Sequence, residues 1–320
     1  MSNPLISVVL PTFDRLEFLR FAVESVFAQT LTDWELVVAD DGSGPETRRY
    51  LRSLHAPPRV RLIELEHSGN PGAVRNAAVR ASSGEYIAFL DSDDVWMPTK
   101  LERQLEALRA QPTRRWGYCG YIRIDETGVQ RDYPGTRKWV PYRGAIFEEL
   151  LAFEAEVSTP SVLVERRLVE ELGGFDEQQW VYEDYDLWLR IALHHEIDLI
   201  DEPLIALRSH QQHYDCADRR LPSRYRQLAK MHRLVTEPRL RRLVARLRAR
   251  IAVDLAGFQA DFDRGAALRT LVRGCAESWA QRHWWRGFLR VSLKVLTPRA
   301  VLSAYRRRAH PNRPSMGVQS

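Results

Sequence analysis

The 320-residue sequence predicts an α/β fold: a mostly parallel central sheet with flanking helices, followed by an α-helical C-terminal region. Three observations lead there. Short apolar runs alternate with helix-spaced patterns through the N-terminal part. Several of those runs close on a polar cluster. The balance of charge changes sign near residue 215.

Residues 5–10 form a β-rich apolar run that Pro11 closes, and Phe18, Phe21, Ala22, Ser25 and Val26 follow at helical spacing. Residues 34–39 read as a second strand, ended by Asp40-Asp41-Gly42-Ser43. A helix over 46–54 and a strand over 60–65 come next. Gly69-Asn70-Pro71-Gly72 is a turn, and 73–81 a short helix. Residues 86–90 are a fourth strand, too short for a typical helix and bounded by Gly84; the next helix starts near Pro98. Strands alternating with helices make βαβ units, and right-handed crossovers place the helices on the sheet faces. Residues 117–207 are more mixed, with strands expected over 118–124, 158–164 and 203–207 and a helix over 181–191. Beyond Pro222 the pattern is helical and basic, with breaks near Pro238, Gly265 and Pro298.

A hydrophobic content of 44% is ordinary for a globular protein, and no apolar run reaches the length of a membrane span. No basic segment precedes the first apolar stretch, so no signal peptide is expected. Three distant cysteines (Cys119, Cys216, Cys275) form neither a disulfide framework nor a zinc site, which suits a reducing cytoplasm. Residues 216–320 carry 24 Lys and Arg against 6 Asp and Glu, whereas residues 1–215 carry 23 against 36. Opposite electrostatics predict two functional units, a domain over 1–215 and a basic helical region over 216–310; a disordered tail is expected over 311–320.

The chemistry-bearing residues gather at strand ends. Pro11-Thr12-Phe13-Asp14-Arg15, Asp40-Asp41-Gly42-Ser43 and Asp91-Ser92-Asp93-Asp94 each follow a strand, and parallel neighbours bring such ends to one edge, where open α/β sheets bind ligands. Carboxylates there suit Mn²⁺ or Mg²⁺ carrying phosphates; the alternative is an acidic turn capping the next helix. Phe13 offers a flat apolar face and Asp41 a carboxylate acceptor, or else a simple turn; Arg15 reads also as a solvated helix-start residue. Arg75, near a helix start, is placed to donate to phosphate, with Asn76 beside it; a surface ion pair is the competing use. Far downstream stands Glu183-Asp184-Tyr185-Asp186.

The strings SVVLPTFDR, ELVVADDGS, GEYIAFLDSDD, GGFDE and YEDYDLWLR, in this order, closely resemble the landmarks of the family 2 glycosyltransferases, inverting enzymes of the GT-A fold, over residues 4–210. The resemblance implies a nucleoside-diphosphate-sugar donor, by default a UDP-sugar, and a saccharide or lipid-linked acceptor in cell-surface polysaccharide synthesis. It assigns Pro11, Thr12, Phe13, Arg15, Asp41, Arg75, Asp91 and Ser92 to the donor. Asp93 becomes a metal ligand, with Asp91 and His210 as further ones. Asp184 becomes the base that deprotonates the acceptor hydroxyl, with Glu183 and Asp186 as alternatives. Trp180, Tyr182 and Glu183 become acceptor contacts. His194-His195, expected within a helix, is not spaced for chelation. A nucleotidyltransferase or a catalytically silent nucleotide-sugar-binding scaffold are the rival readings.

In the C-terminal region Arg286, Arg290 and Lys294 make a basic stripe, beside Phe288, Leu289, Ser292, Val295 and Leu296 and the tryptophans Trp279, Trp284 and Trp285. This composition suits peripheral attachment to an anionic membrane surface; simple packing on the catalytic domain is the alternative. No base-stacking platform accompanies the charge, so no nucleic-acid partner is expected.

Overall fold

The computed structural model describes residues 3–54, 59–132, 139–209, 217–278 and 282–297. The chain divides into two compact units, Met1–Asp215 and Cys216–Ser320. His210, His213, Trp279 and the tail beyond residue 297 lie outside the described residues.

The first unit runs β1 (Ile6–Thr12), α1 (Leu16–Phe27), β2 (Trp34–Asp40), α2 (Pro45–Ser53), β3 (Val60–Glu64), α3 (Pro71–Ala81), β4 (Tyr86–Phe89), β5 (Val95–Trp96), α4 (Lys100–Ala110), β6 (Trp116–Ile124), α5 (Phe147–Leu151), β7 (Leu163–Glu165), α6 (Arg166–Glu171), α7 (Glu183–Ala192) and β8 (Asp198–Arg208). These strands form one eight-stranded sheet in the order β3-β2-β1-β4-β7-β6-β8-β5. Strands β3, β2, β1 and β4 are mutually parallel, as are β6 and β8, whereas β7 runs antiparallel to both its neighbours and β5 antiparallel to β8. The sheet is thus mixed, and its uninterrupted parallel half is the N-terminal one.

That half follows from its sequence. Strands β1 and β2 are buried nearly throughout, because both faces are covered. On one side Ile6, Val8, Leu10, Leu36 and Val38 pack with Leu19, Val23 and Val26 of α1 and Leu101, Leu105 and Leu108 of α4. On the other, Phe89 meets Phe175 and Trp188 at ring separations of 5.3 and 5.9 Å. Gly84 lets β4 start tight against β1: a Cβ there would sit 2.6 Å from the Ser7 backbone nitrogen.

The expected strand over 158–164 is instead a 3-10 turn, Thr159–Ser161, followed by the three-residue β7. Pro160 lacks an N–H for a ladder, so pairing starts only after it. His194 and His195 fall just past the end of α7, not within a helix.

The second unit contains α8 (Ala217–Leu234), α9 (Pro238–Gln259), α10 (Arg264–Ser278) and α11 (Arg282–Leu296). Ala249, Val253, Ala256 and Ala260 pack with Ala267 and Leu271 of α10 and Val291 and Val295 of α11. Small residues on α9 permit close helix approach, and Gly287 extends this, since a Cβ there would come 2.8 Å from Val253. Among the described residues no helix is long and apolar enough to cross a membrane.

Candidate functional site

Register assembles the site. Thr12, the last residue of β1, pairs with Asp40 at the end of β2, and the Asp41 N–H donates to Thr12 O at 2.9 Å. Strand β4 lies on the other side of β1, with Phe89 opposite Val9, so Asp91-Ser92-Asp93-Asp94 emerges at the same edge. Asp14, held in the left-handed region at φ 45°, joins the first two ends: its carboxylate accepts from the Gly44 N–H at 2.7 Å and its own N–H donates to Ser43 Oγ at 3.0 Å. Asp40 is fully buried and turns back to accept from the Ser43 N–H.

A cleft of about 380 Å³ opens here, lined by Pro11, Thr12, Phe13, Arg15, Asp41, Arg75, Asp91, Ser92 and Asp93, with His67, Gly69, Pro71 and Val74. Every residue assigned from the sequence to the donor lies along it. Phe13 stacks on His67 with ring centroids 4.1 Å apart, an aromatic pair that the sequence reading had only half identified. Asp41 accepts from the Ser68 N–H and hydroxyl and from the Gly69 N–H, at 2.8 to 2.9 Å. His67 Nδ1 lies 3.1 Å from the same carboxylate and 2.9 Å from the Asp41 carbonyl oxygen, so Asp41 is held in one orientation from both the Ser68-Gly69 backbone and the His67 ring. Thr12 Oγ1 is buried at this cleft with no hydrogen-bond partner among the described residues.

Arg75 is the centre of charge. It projects from α3, whose start is fixed by Asn70 accepting from the Ala73 N–H and by Pro71. Its guanidinium, buried, donates to Asp91 at 2.7 Å and to Glu183 at 2.8 Å. The same carboxylates, with Asp184 nearby, hold its proton more firmly than usual despite burial. Arg15 pairs with Asp93.

The α7 segment, over ninety residues downstream of β4, is brought to this edge by a chain of specific bonds. Asn76 exchanges two hydrogen bonds with the Phe175 backbone, each 2.9 Å. Gly174 must be glycine: φ is 71°, and a Cβ would meet Asn76 Oδ1 at 2.5 Å. Arg190 donates to Leu172 O and Gly174 O and pairs with the fully buried Asp186, so Asp186 is a structural partner rather than a free carboxylate. Tyr182, left-handed at φ 64°, then starts α7, whose acidic first turn suits the helix dipole.

Asp184 sits in a second cleft of about 410 Å³, with Asp91, Asp94, Trp139, Phe153, Glu156, Thr159, Pro160, Tyr182 and Tyr185 among its lining residues. Asp91 therefore borders both clefts. Asp184 accepts from the Thr159 hydroxyl at 2.8 Å and the Tyr185 N–H at 2.7 Å. Burial raises its pKa, opposed by Arg75 and by these two donors. Glu183 is also raised, by burial and then by Asp184, and points to Arg75 rather than to open space. Trp180 is 48% exposed and lines neither cleft. The aromatics that line the cleft of Asp184 are Trp139, Phe153, Tyr182 and Tyr185, with ring contacts of 5.1 Å from Phe153 to Tyr182 and to Tyr185.

Asp94 turns inward, buried, and accepts from the Arg208 N–H at 2.8 Å; burial and its acidic neighbours Asp93 and Asp91 push its pKa well up. Arg208 also donates to Asp93 O and to the carbonyls of Asp125 and Glu126, and so clamps the acidic loop. His67, Thr159 and Arg208 were missed from the sequence. Position offers the one available signal: Arg208 ends β8, and His67 follows the end of β3.

Among the described residues no three His, Cys, Asp or Glu side chains converge on a metal position. The donor set still fits Mn²⁺ or Mg²⁺ in the manner usual for diphosphate substrates. Such ions take one or two carboxylates and complete their shell with phosphate oxygens and water. Asp93 and Asp91 are the two partly exposed carboxylates that line the cleft beside Phe13 and Asp41.

The glycosyl transferase family 2 model matches residues 7–172, just over half of the chain, and the protein belongs to that family. A glucosyltransferase of Escherichia coli, UDP-Glc:alpha-D-GlcNAc-diphosphoundecaprenol beta-1,3-glucosyltransferase WfgD, is 29% identical over 201 residues, 63% of this chain and 75% of that one. An uncharacterized glycosyltransferase of Rickettsia felis is 29% identical over 210 residues, 65% of this chain, but the match spans only 35% of that protein's length. S. aureus TarS in complex with UDP superposes with a TM-score of 0.59 at 17% identity, covering 81% of this chain and 73% of TarS. The mannosyltransferase PcManGT of Pyrobaculum calidifontis, solved with GDP-Man and Mn²⁺, gives 0.57 at 17% identity, covering 98% and 89%. At these identities the two structures establish the shared GT-A fold.

Proposed function

We propose that this chain moves a glycosyl group from a nucleoside diphosphate sugar to a hydroxyl of a saccharide or lipid-linked acceptor in polysaccharide synthesis, inverting the anomeric carbon. The observation that carries the reading is the position of Asp91 on both clefts, tied through Arg75 to Glu183 beside Asp184. The leaving-group side and the nucleophile side thereby share one charge network.

In this reading the stacked Phe13–His67 pair offers an aromatic surface to the nucleobase and Asp41 accepts from its ring N–H. Thr12 Oγ1 gains its missing partner from the donor. Arg15 and Arg75 bring positive charge to the diphosphate. Tyr182 and its aromatic neighbours face the acceptor. Asp184 Oδ takes the proton of the acceptor hydroxyl while that oxygen forms its bond to the anomeric carbon. The bond from that carbon to the diphosphate oxygen breaks on the opposite side, and its electron pair leaves with the diphosphate. Base catalysis of this kind supplies about 10²–10⁴-fold, and a carboxylate shifted upward by burial is better matched to a neutral operating pH. Asp93 and Asp91 would hold the divalent cation, which when bound neutralises charge on the departing diphosphate. The WfgD name supports a lipid-diphosphate-linked acceptor. A UDP complex and a GDP-Man complex among fold relatives leave uracil as the first base to test.

The test is a transfer screen across UDP-, dTDP- and GDP-sugars, with free and lipid-linked saccharides, with and without Mn²⁺. One donor giving an anomerically inverted product and free nucleoside diphosphate supports the reading. Retained configuration, or no product with any pairing, opposes it.

A further inference from the structure

Helix α11 has spent its inner face and still carries an apolar stripe outward. Val291 and Val295 are buried against α9 and α10, and Phe288 packs beside them. Trp285, Leu289, Leu293 and Leu296, at spacings of four, four and three, are 37%, 58%, 66% and 73% exposed. Arg286 and Arg290, both exposed, border that stripe on one side of the helix. Lys294, expected in the same basic stripe, is instead held by Gly257 O and Asp261 at 2.8 and 2.7 Å. Helix α10 repeats the arrangement: Leu268 and Val272 are exposed beside exposed Arg269 and Arg273. Helix α11 contains no acidic residue.

The geometry points to an interfacial anchor: α11 lies on an anionic lipid bilayer. Leu289, Leu293 and Leu296 enter the acyl boundary, Trp285 sits at its polar edge, and Arg286 and Arg290 meet headgroup phosphates. Charge complementarity selects this occupant. A second copy would bring a strongly basic unit against itself, and a nucleic acid would leave the leucines without an apolar partner. A bilayer surface offers both layers side by side. This inference is independent of the transfer reading.

The experiment is flotation of the full-length chain with phosphatidylcholine vesicles and with mixed phosphatidylcholine–phosphatidylglycerol vesicles, paired with sedimentation velocity. The wild type is expected to float with the anionic vesicles alone and to lose affinity as salt is raised. Leu289→Glu with Leu293→Glu, and separately Arg286→Glu with Arg290→Glu, are each expected to weaken binding by at least about tenfold. All four positions are exposed, so unchanged thermal unfolding serves as the folding control. Wild-type protein left in the aqueous phase overturns the inference, as does flotation unaffected by both folded double variants. A dimer abolished by the leucine pair reassigns the face to a second copy.

Discussion

The Thr159 hydroxyl donates a 2.8 Å hydrogen bond to Asp184 Oδ2, linking the 3-10 turn before β7 to the first turn of α7. This bond favours the ionised carboxylate and works against the upward shift that burial imposes. Thr159→Val removes it without changing shape much. The Asp184 pKa then rises, and a base must be deprotonated to act. The acid limb of the kcat profile is therefore expected to move to higher pH, with kcat reduced at neutral pH; an unmoved limb separates Thr159 from the base.

Arg75 neutralises two partly or wholly buried carboxylates. Arg75→Met leaves Asp91 and Glu183 without their counter-charge, and removing one member of a buried ion pair costs about 3–5 kcal/mol. Urea denaturation should show that loss. Adding Glu183→Gln should restore part of it, because one uncompensated charge disappears.

Arg15 pairs with Asp93, the carboxylate that the proposed function gives to a divalent cation. Arg15→Ala is expected to tighten Mn²⁺ binding in the absence of donor, read by calorimetry, while Asp93→Asn weakens it. Tighter binding follows because the cation no longer competes with a guanidinium.

Lys100 is fully buried over the Trp96 ring at 3.9 Å, and among the described residues its Nζ has no hydrogen-bond partner. Burial lowers its pKa from 10.5 to about 7. Between those values the unfolded chain binds the extra proton, so stability rises as pH increases from about 7 toward 10.5. Lys100→Met should raise stability at pH 7 by an amount on the order of 3 kcal/mol and flatten that slope, as measured by unfolding across the pH range.

The parallel half of the fold was legible because strands covered on both faces read as unbroken apolar runs. Leu36, Val37 and Val38 are an example. Their ends read as clearly, since a carboxylate pair such as Asp40-Asp41 has no place within such a run. The antiparallel half was harder. Strand β5 has two residues and β7 three, too few for any period, and Pro160 gave a strand-like stretch a turn. Among site residues, motif members were visible as local clusters. Thr159, His67 and Arg208 act through partners 25 to 115 positions away, and no local pattern encodes a long-range bond. Trp180 stands beside the acidic α7 start in sequence yet lines neither cleft, which adjacency along the chain does not reveal.

The most direct measurement compares Asp184→Asn with the wild type in two assays, donor binding by calorimetry and glycosyl transfer to acceptor. Asp184 lines the cleft that holds Thr159 and Tyr182 and not the one that holds Phe13 and Asp41. Donor affinity within about twofold of wild type, together with transfer reduced by about 10²-fold or more, is the expected result. Transfer that persists at wild-type rates in the folded variant would contradict the assignment of the base and the account built on it.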